Sequence, residues 1–385
     1  MIAVPVIASP LSLGLEAGST YYEHRAEPTA PLQFQGHSLE PILRYNRWTD
    51  RTRVWFEARR RFDLYSGAPV VTGPGNTLQT ADHLNLLLGQ TWSERGRLDA
   101  SGSYVRSKDA LDIDQPIPYM QSQVTEWGGS VGASLRRFEA SYSGRGWHYQ
   151  DPLLQDASSH GWALRVLPIQ RATSDLFINW RGRDLVSGAV TTVESDVAAA
   201  GIRRSLGAWL SAEAEGGVSG VSYAGASRQT GAEAGMQLKT AAGGPYDVSM
   251  RWQVEQVFPP TLIGRVSRGV GVGRIWLDGE SMVDVEGGYY RDPTYTHRLG
   301  LGAQDTLARA TVIGFEASYV DLRPLTGTAA PAQLVRTSGW LARRLRPWLT
   351  ARLGCAYFEQ TGGGTVGVPS FSTLRLNAAV STLTQ

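Results

Sequence analysis

Cysteine occurs once in 385 residues, at Cys355, which excludes an intramolecular disulfide and any multi-thiolate metal cluster. No run of about 18 apolar residues occurs, so a transmembrane helix is absent from the sequence. Lysine is almost missing: Lys108 and Lys239 are the only two, and arginine carries nearly all the positive charge. The formal net charge is only +2, and without a basic block no nucleic-acid partner is expected. No fixed motif of propeller length recurs, and no shift in composition marks a linker. The chain 1–385 therefore reads as one domain. Residues 1–8 stand apart, either as the remnant of an export signal, with Val6, Ile7 and Ala8 in the small-residue pattern of a cleavage site, or as a short tail.

What the sequence does contain is a period of two. From Gly231 to Glu255, the first arm puts Ala232, Ala234, Met236 and Leu238 on one face and Glu233, Gly235, Gln237 and Lys239 on the other. After a glycine-rich turn, Tyr246, Val248, Met250, Trp252 and Val254 alternate with Asp247, Ser249, Arg251, Gln253 and Glu255. Arms of about nine to eleven residues with one greasy face suit tilted strands in a bilayer better than the shorter strands of a soluble sandwich. The same pattern recurs at 11–24, 42–48, 54–65, 84–92 and 98–105, with Arg60 interrupting the apolar face of the third. At the C-terminal end Leu374, Leu376, Ala378 and Val380 alternate with Thr373, Arg375, Asn377 and Ala379.

Backbone polar groups in lipid are all paired only in helices and closed barrels, and without a helix the barrel remains. The expected fold is all-β: a transmembrane, antiparallel, up-and-down β-barrel of about 18–20 strands. Long and short connections alternate along the chain, with short turns near 136–139, 167–173, 206–208, 241–245, 277–280, 307–309 and 344–347. They mark a periplasmic rim, and the longer loops mark the outer one. Trp48, Trp55, Trp92, Trp209, Trp276 and Trp348 fall near short turns. Tyr22, Tyr65, Tyr104, Tyr149, Tyr223, Tyr290 and Tyr319 fall near long loops, as two interfacial girdles would. Alternation puts Cys355 on the apolar face.

The polar faces collect the charge. Arg59, Arg61, Arg145, Arg165, Arg181, Arg251, Arg352 and Arg375, with Glu57, Glu213 and Glu255, are expected to line a pore; Arg136, Arg183, Asp63, Glu215, Glu233, Asp247, Asp284 and Glu316 share their parity. Unpaired charges cannot sit in a dry interior, so water or a plug must meet them, and a barrel this wide leaves an aqueous channel. Guanidinium donors would favour anionic or polyhydroxylated solutes.

Catalysis is not expected. Ser143 with His148 is the nearest nucleophile and base, and no acid partner is assignable. No cofactor and no metal are expected, since Asp112 and Asp114 supply too few oxygens for calcium. All six histidines (His24, His37, His83, His148, His160 and His297) map to outer strand ends, where a metal or pH-sensing site competes with ordinary polar placement above the apolar band.

The patterning over the whole chain resembles the Gram-negative outer-membrane β-barrel class. The segment LLLGQTWSERGRLDASGSYVRSKDALDID is similar in texture to porin-like proteins associated with exopolysaccharide export. The first resemblance implies an outer-membrane location and contact with lipid and lipopolysaccharide. The second implies passage of a sugar polymer beside periplasmic export proteins, although no periplasmic helical repeat is present to dock them. The longest loop, Lys108 to Glu126, is the third on the outer side. It resembles the constriction loop of general porins, which implies that Asp109, Asp112 and Asp114 oppose wall arginines. The chain departs from the barrel class in ending STLTQ where an aromatic residue is usual. Three functions follow as expectations: a conduit for exopolysaccharide export, a general diffusion porin, and a structural or adhesive barrel with a blocked lumen.

Overall fold

The computed structural model describes residues 10–26, 31–66, 78–93, 96–107, 123–150, 156–187, 190–223, 226–240, 246–255, 261–270, 273–284, 294–308, 310–324, 330–364 and 370–383. They form twenty strands: β1 (Leu11–Ala26), β2 (Leu32–Trp48), β3 (Thr52–Ser66), β4 (Leu78–Ser93), β5 (Gly96–Ser107), β6 (Val124–Leu135), β7 (Phe138–Tyr149), β8 (Ala157–Gln170), β9 (Ser174–Ser187) and β10 (Val190–Ser205) in the first half. The second half is β11 (Leu210–Tyr223), β12 (Gln229–Thr240), β13 (Tyr246–Glu255), β14 (Thr261–Val270), β15 (Gly273–Asp284), β16 (Thr294–Ala308), β17 (Thr311–Pro324), β18 (Ala330–Arg346), β19 (Leu349–Gly364) and β20 (Phe371–Leu383).

Each strand pairs antiparallel with the next, as β1 does with β2 and β18 with β19. β20 returns to β1, from Gly14 opposite Leu383 to Ala26 opposite Phe371. The sheet is therefore a closed, up-and-down barrel with no free edge. Its exterior carries exposed apolar side chains all round, such as Leu13 at 57%, Val218 at 62% and Leu353 at 57%. An apolar surface that encircles the molecule is stable only in lipid. Cys355 lies exposed on that exterior.

Three expectations about boundaries change. β2 begins at Leu32, well before the alternation read at 42–48, so pairing with β1 extends beyond that pattern. The turn expected at 277–280 lies inside β15, whose pairing with β14 runs on to Val270 opposite Gly273. The connection between β9 and β10 spans only 188–189, so long and short connections do not alternate strictly. The aromatic girdles also differ. Tyr22 and Tyr149 are buried, Trp276 turns inward, and the exposed exterior indoles include Trp127, Trp162, Trp180 and Trp252.

Glycine opposite tryptophan recurs in the registers. Trp127 pairs with Gly146, Trp162 with Gly182, Trp276 with Gly302 and Trp340 with Gly314. Each indole lies over the bare Cα of its partner, where an added Cβ would meet the ring at 2.1–2.5 Å. The ring covers backbone that glycine leaves open, and the pair fixes the register.

Between β8 and β12 the wall bends enough for side chains three strands apart to meet, and small inward residues in β10 and β11 leave room for the bend. Ala199 and Gly201 of β10 face Gly217 and Glu215 of β11, and a Cβ on Gly217 would stand 2.1 Å from the Ala198 carbonyl oxygen. Ion pairs bridge this bend across strands that are not neighbours: Arg165 of β8 reaches Glu213 of β11 at 2.8 Å, and Arg181 of β9 reaches Glu215 of β11 at 2.8 Å and Glu233 of β12.

Candidate functional site: the lumen

Strand parity sets which side chains face inward, and the register of paired strands brings them level. On β2 and β3, Glu57 accepts from Arg44 and from Arg59 Nε at 2.6 Å; Arg59 also approaches Glu40 at 3.5 Å, and Arg61 Nε donates to Asp63 at 2.7 Å. Arg145 meets Glu126 at 3.0 Å and lies over the ring of Trp147. In the bend, Glu213 is shared by Arg165 and Arg203, while Asn179 and Arg181 both donate to Glu215. Arg251 donates to Gln253, which in turn donates to Glu233, both at 2.9 Å. Arg352 rests over Trp340 at 5.2 Å, and Arg375 lines a cavity of about 750 Å³.

The expected lining residues Arg59, Arg61, Arg145, Arg165, Arg181, Arg251, Arg352, Arg375, Glu57 and Glu213 all face inward. Glu255 pairs with Glu233 by register, and its side chain lies outside the described residues, as do Asp109, Asp112 and Asp114. The side chain of Asp284 also lies outside the described residues, and Arg136 stands in a turn instead of on a strand face. It occupies the tight turn between β6 and β7 with φ +46°, and its carbonyl accepts from Gln170. Arg60 faces lipid, 3.5 Å from Asp82, which also lies 4.0 Å from Arg106, so an exterior ion triad answers the break in the apolar face.

Charge lines two bays. The larger, about 750 Å³, lies between β1–β4 and β15–β20, and its walls hold six arginines and six carboxylates. The smaller, about 330 Å³, lies in the bend and is lined by Arg165, Arg181 and Arg251 with Glu139, Glu213 and Glu215. Each bay is therefore balanced in charge. Sequence reading missed Arg44, Glu16, Glu40, Asp278, Arg298 and Arg336, which carry the same period-two signal on strands whose parity becomes certain only through their neighbours.

Above the charges stands a layer that alternation did not reveal. Near the outer strand ends the inward residues become large and apolar: Tyr22, Phe34, Val124, Trp147, Leu185, Val193, Val221, Leu334, Phe358 and Phe371, all at 4% exposure or less. Tyr22 stacks on Phe34 at 4.8 Å, with Tyr65 edge-on to both. Leu185, Val193 and Val221 pack together with Tyr223 and with Tyr295 of β16. His24 donates to or accepts from Thr373 at 3.1 Å within this layer, beside Phe371.

The histidines divide between faces. His24 and His83 point inward; His148 pairs with Asp156, His160 with Tyr142 and His297 with Ser281 on the exterior. Among the described residues no three metal-binding side chains gather. Ser143 and His148 lie on opposite faces of β7, so they cannot act together.

No family model matches the chain, and no curated protein matches it. Among solved structures it is similar to OccAB4 of Acinetobacter baumannii (9% identity, TM-score 0.38, covering 99% of this chain and 100% of that one). It is also similar to the outer membrane protein opdK of Pseudomonas aeruginosa (9%, 0.39, 97% and 99%) and to a BenF-like porin from Pseudomonas fluorescens Pf-5 (8%, 0.42, 98% and 100%). Matches at this level assign neither family nor solute. On its own geometry, closed, even-stranded and apolar over its exterior, the chain is a transmembrane β-barrel of the outer-membrane type.

Proposed function

We propose that the barrel is a porin-like diffusion channel for small polar solutes. The observation that carries this reading is the charge-balanced lining of the larger bay, six arginines against six carboxylates around about 750 Å³. Such a lining, polar on every side, suits water better than a packed core, and a hydrated bay inside a closed barrel is part of a path. Balance also argues against a strong preference for ions of one sign, since a lumen with little net charge focuses little field. Nothing in the lining favours export of a long polymer over diffusion of small solutes.

The second reading, a barrel with a blocked lumen, is favoured by the buried apolar layer at the outer mouth, because an apolar constriction can dewet and stop ions. Conductance of the purified protein in planar bilayers separates the two. Discrete steps with a reversal potential within about 10 mV of zero under a tenfold salt gradient support the neutral channel, whose ideal selective limit would be near 59 mV. Absence of steps in repeated insertions supports the blocked barrel.

A further inference from the structure

Arg60, Asp82 and Arg106 stand in register on β3, β4 and β5, all on the lipid-facing side. The two guanidinium groups share that one carboxylate at 3.5 and 4.0 Å, longer than a charge-assisted hydrogen bond, so most of their N–H donors stay open. Arg106 also donates to Gln123 at 3.1 Å, and among the described residues no other carboxylate lies within 4.0 Å of either arginine. Their side chains are 56% and 41% exposed, and the group carries a net charge of +1. At about 3.3 Å per residue and a tilt of about 40°, Arg60, eight residues above Thr52, and Arg106, ten above Gly96, stand roughly 20 and 25 Å up from the short turns. The Arg60 guanidinium lies over the Phe62 ring at 5.5 Å, which carries its charge further toward the outer rim. Both charges therefore reach the outer edge of an apolar band about 25 Å tall, where the headgroups of the outer leaflet begin. Toward the short turns the surface becomes apolar and then bare. Ala58, Leu84, Tyr104 and Trp127 form the next lipid-facing row, and Leu86, Gly102 and Gly129 form the one after it. A Cβ at Gly102 or Gly129 would meet only backbone atoms within 4 Å, so no side chain covers this dent, unlike the glycines that lie under indoles.

We propose that this surface binds one phosphate-bearing lipid of the outer leaflet, with Arg60 and Arg106 on the phosphate and an acyl chain in the dent over Gly102 and Gly129. Planar guanidinium forks offer paired N–H donors that match phosphate oxygens, and the phosphate supplies the negative charge that Asp82 alone does not. Gly102 lies four residues from Arg106, about 13 Å along β5, so a chain descending from the phosphate passes Tyr104 and Leu84 before it meets the dent. Asp82 holds the two arginines level and competes with the phosphate for them. A second copy of the barrel fits this surface less well, since a two-fold contact would set Arg60 and Arg106 against the same pair of charges.

The test uses the full chain in an uncharged detergent and measures bound lipid per barrel by native mass spectrometry. The probes are diphosphorylated lipid A, the same lipid stripped of both phosphates, and inorganic phosphate. One diphosphorylated lipid A per barrel should bind more tightly than the stripped form, and inorganic phosphate at the same concentration should not displace it. Arg60→Gln and Arg106→Gln should each weaken binding about tenfold, the size of one lost hydrogen bond to a charged group. Gly102→Leu, whose side chain fills the dent, should weaken it as well. Asp82→Asn, which frees both guanidinium groups, should tighten it, a gain that a purely structural triad would not produce. Arg268→Gln, on the exterior near the short turns, should leave binding as it is. Where Arg60→Gln does not fold, Arg60→Lys, which keeps the charge without the planar fork, takes its place with a smaller loss. Equal binding of the stripped lipid, displacement by inorganic phosphate, or unchanged binding in both arginine variants overturns the site. Barrel dimers that Gly102→Leu disperses while lipid binding stays the same would assign the surface to a second copy and overturn it too.

Discussion

Glycine beneath tryptophan shows how one missing methyl places a large side chain. At Gly146 an added Cβ would stand 2.3 Å from the Trp127 ring, so Gly146→Val must push that indole off its strand. We expect a loss of about 1–3 kcal/mol from such overpacking, read as a lower urea midpoint for the folded barrel in detergent. The exterior triad makes a second residue-scale prediction. Asp82 is the shared acid of Arg60 and Arg106 on the lipid-facing side, and Asp82→Ala leaves two guanidinium groups near lipid without it. A drop of roughly 1–3 kcal/mol in folding stability should follow, and Arg60→Leu in the same chain should restore part of it; no drop would mean the triad is fully solvated. Arg60 is legible in the sequence as a break in alternation, whereas Asp82 and Arg106 become its partners only through registers that no local pattern specifies.

At the scale of elements, the bend from β9 to β12 depends on what its strands leave out. Ala199, Gly201 and Gly217 keep side-chain volume off the concave face, and the atoms nearest an added Cβ at Gly217 are backbone atoms that cannot step aside. Gly217→Val should cost about 3 kcal/mol or more, enough to reduce the fraction that migrates as folded barrel on a cold gel. The ion pairs across the bend respond more mildly. Glu233→Gln removes one of two carboxylates that Arg181 meets, Glu215 remains, and we expect a loss near 1–3 kcal/mol in the same urea measurement. The hairpin Gly231 to Glu255 was readable strand by strand, because its apolar and polar faces never slip by one residue. The β14 to β15 turn was not. Gly264, Gly269, Gly273 and Gly279 scatter turn-like residues along both strands, and only cross-strand pairing selects Val270 and Gly273 as the reversal.

For the whole molecule, parity told which residues face inward and gave the strand count, but height in the lumen is a property of tilt and register together. That is why the charged bays were anticipated and the apolar layer above them was not: Phe358 and Arg352 share one face of β19, six residues apart, and nothing local ranks them by depth. If that layer is the narrowest place on the path, Phe358→Ala, which removes a fully buried ring, should raise single-channel conductance measurably; an unchanged step would locate the narrowing elsewhere. The closing seam has a different bearing, on the order of events as the molecule is made. Gly14 cannot meet Leu383 until nearly every intervening residue has left the ribosome, so each preceding hairpin must wait with an unsatisfied first strand, and assembly ends with its most distant contact. A chain arrested before Phe371 would leave β1 and β19 each with one long open edge, and should be recovered as aggregate and protease-sensitive polypeptide, never as a smaller barrel.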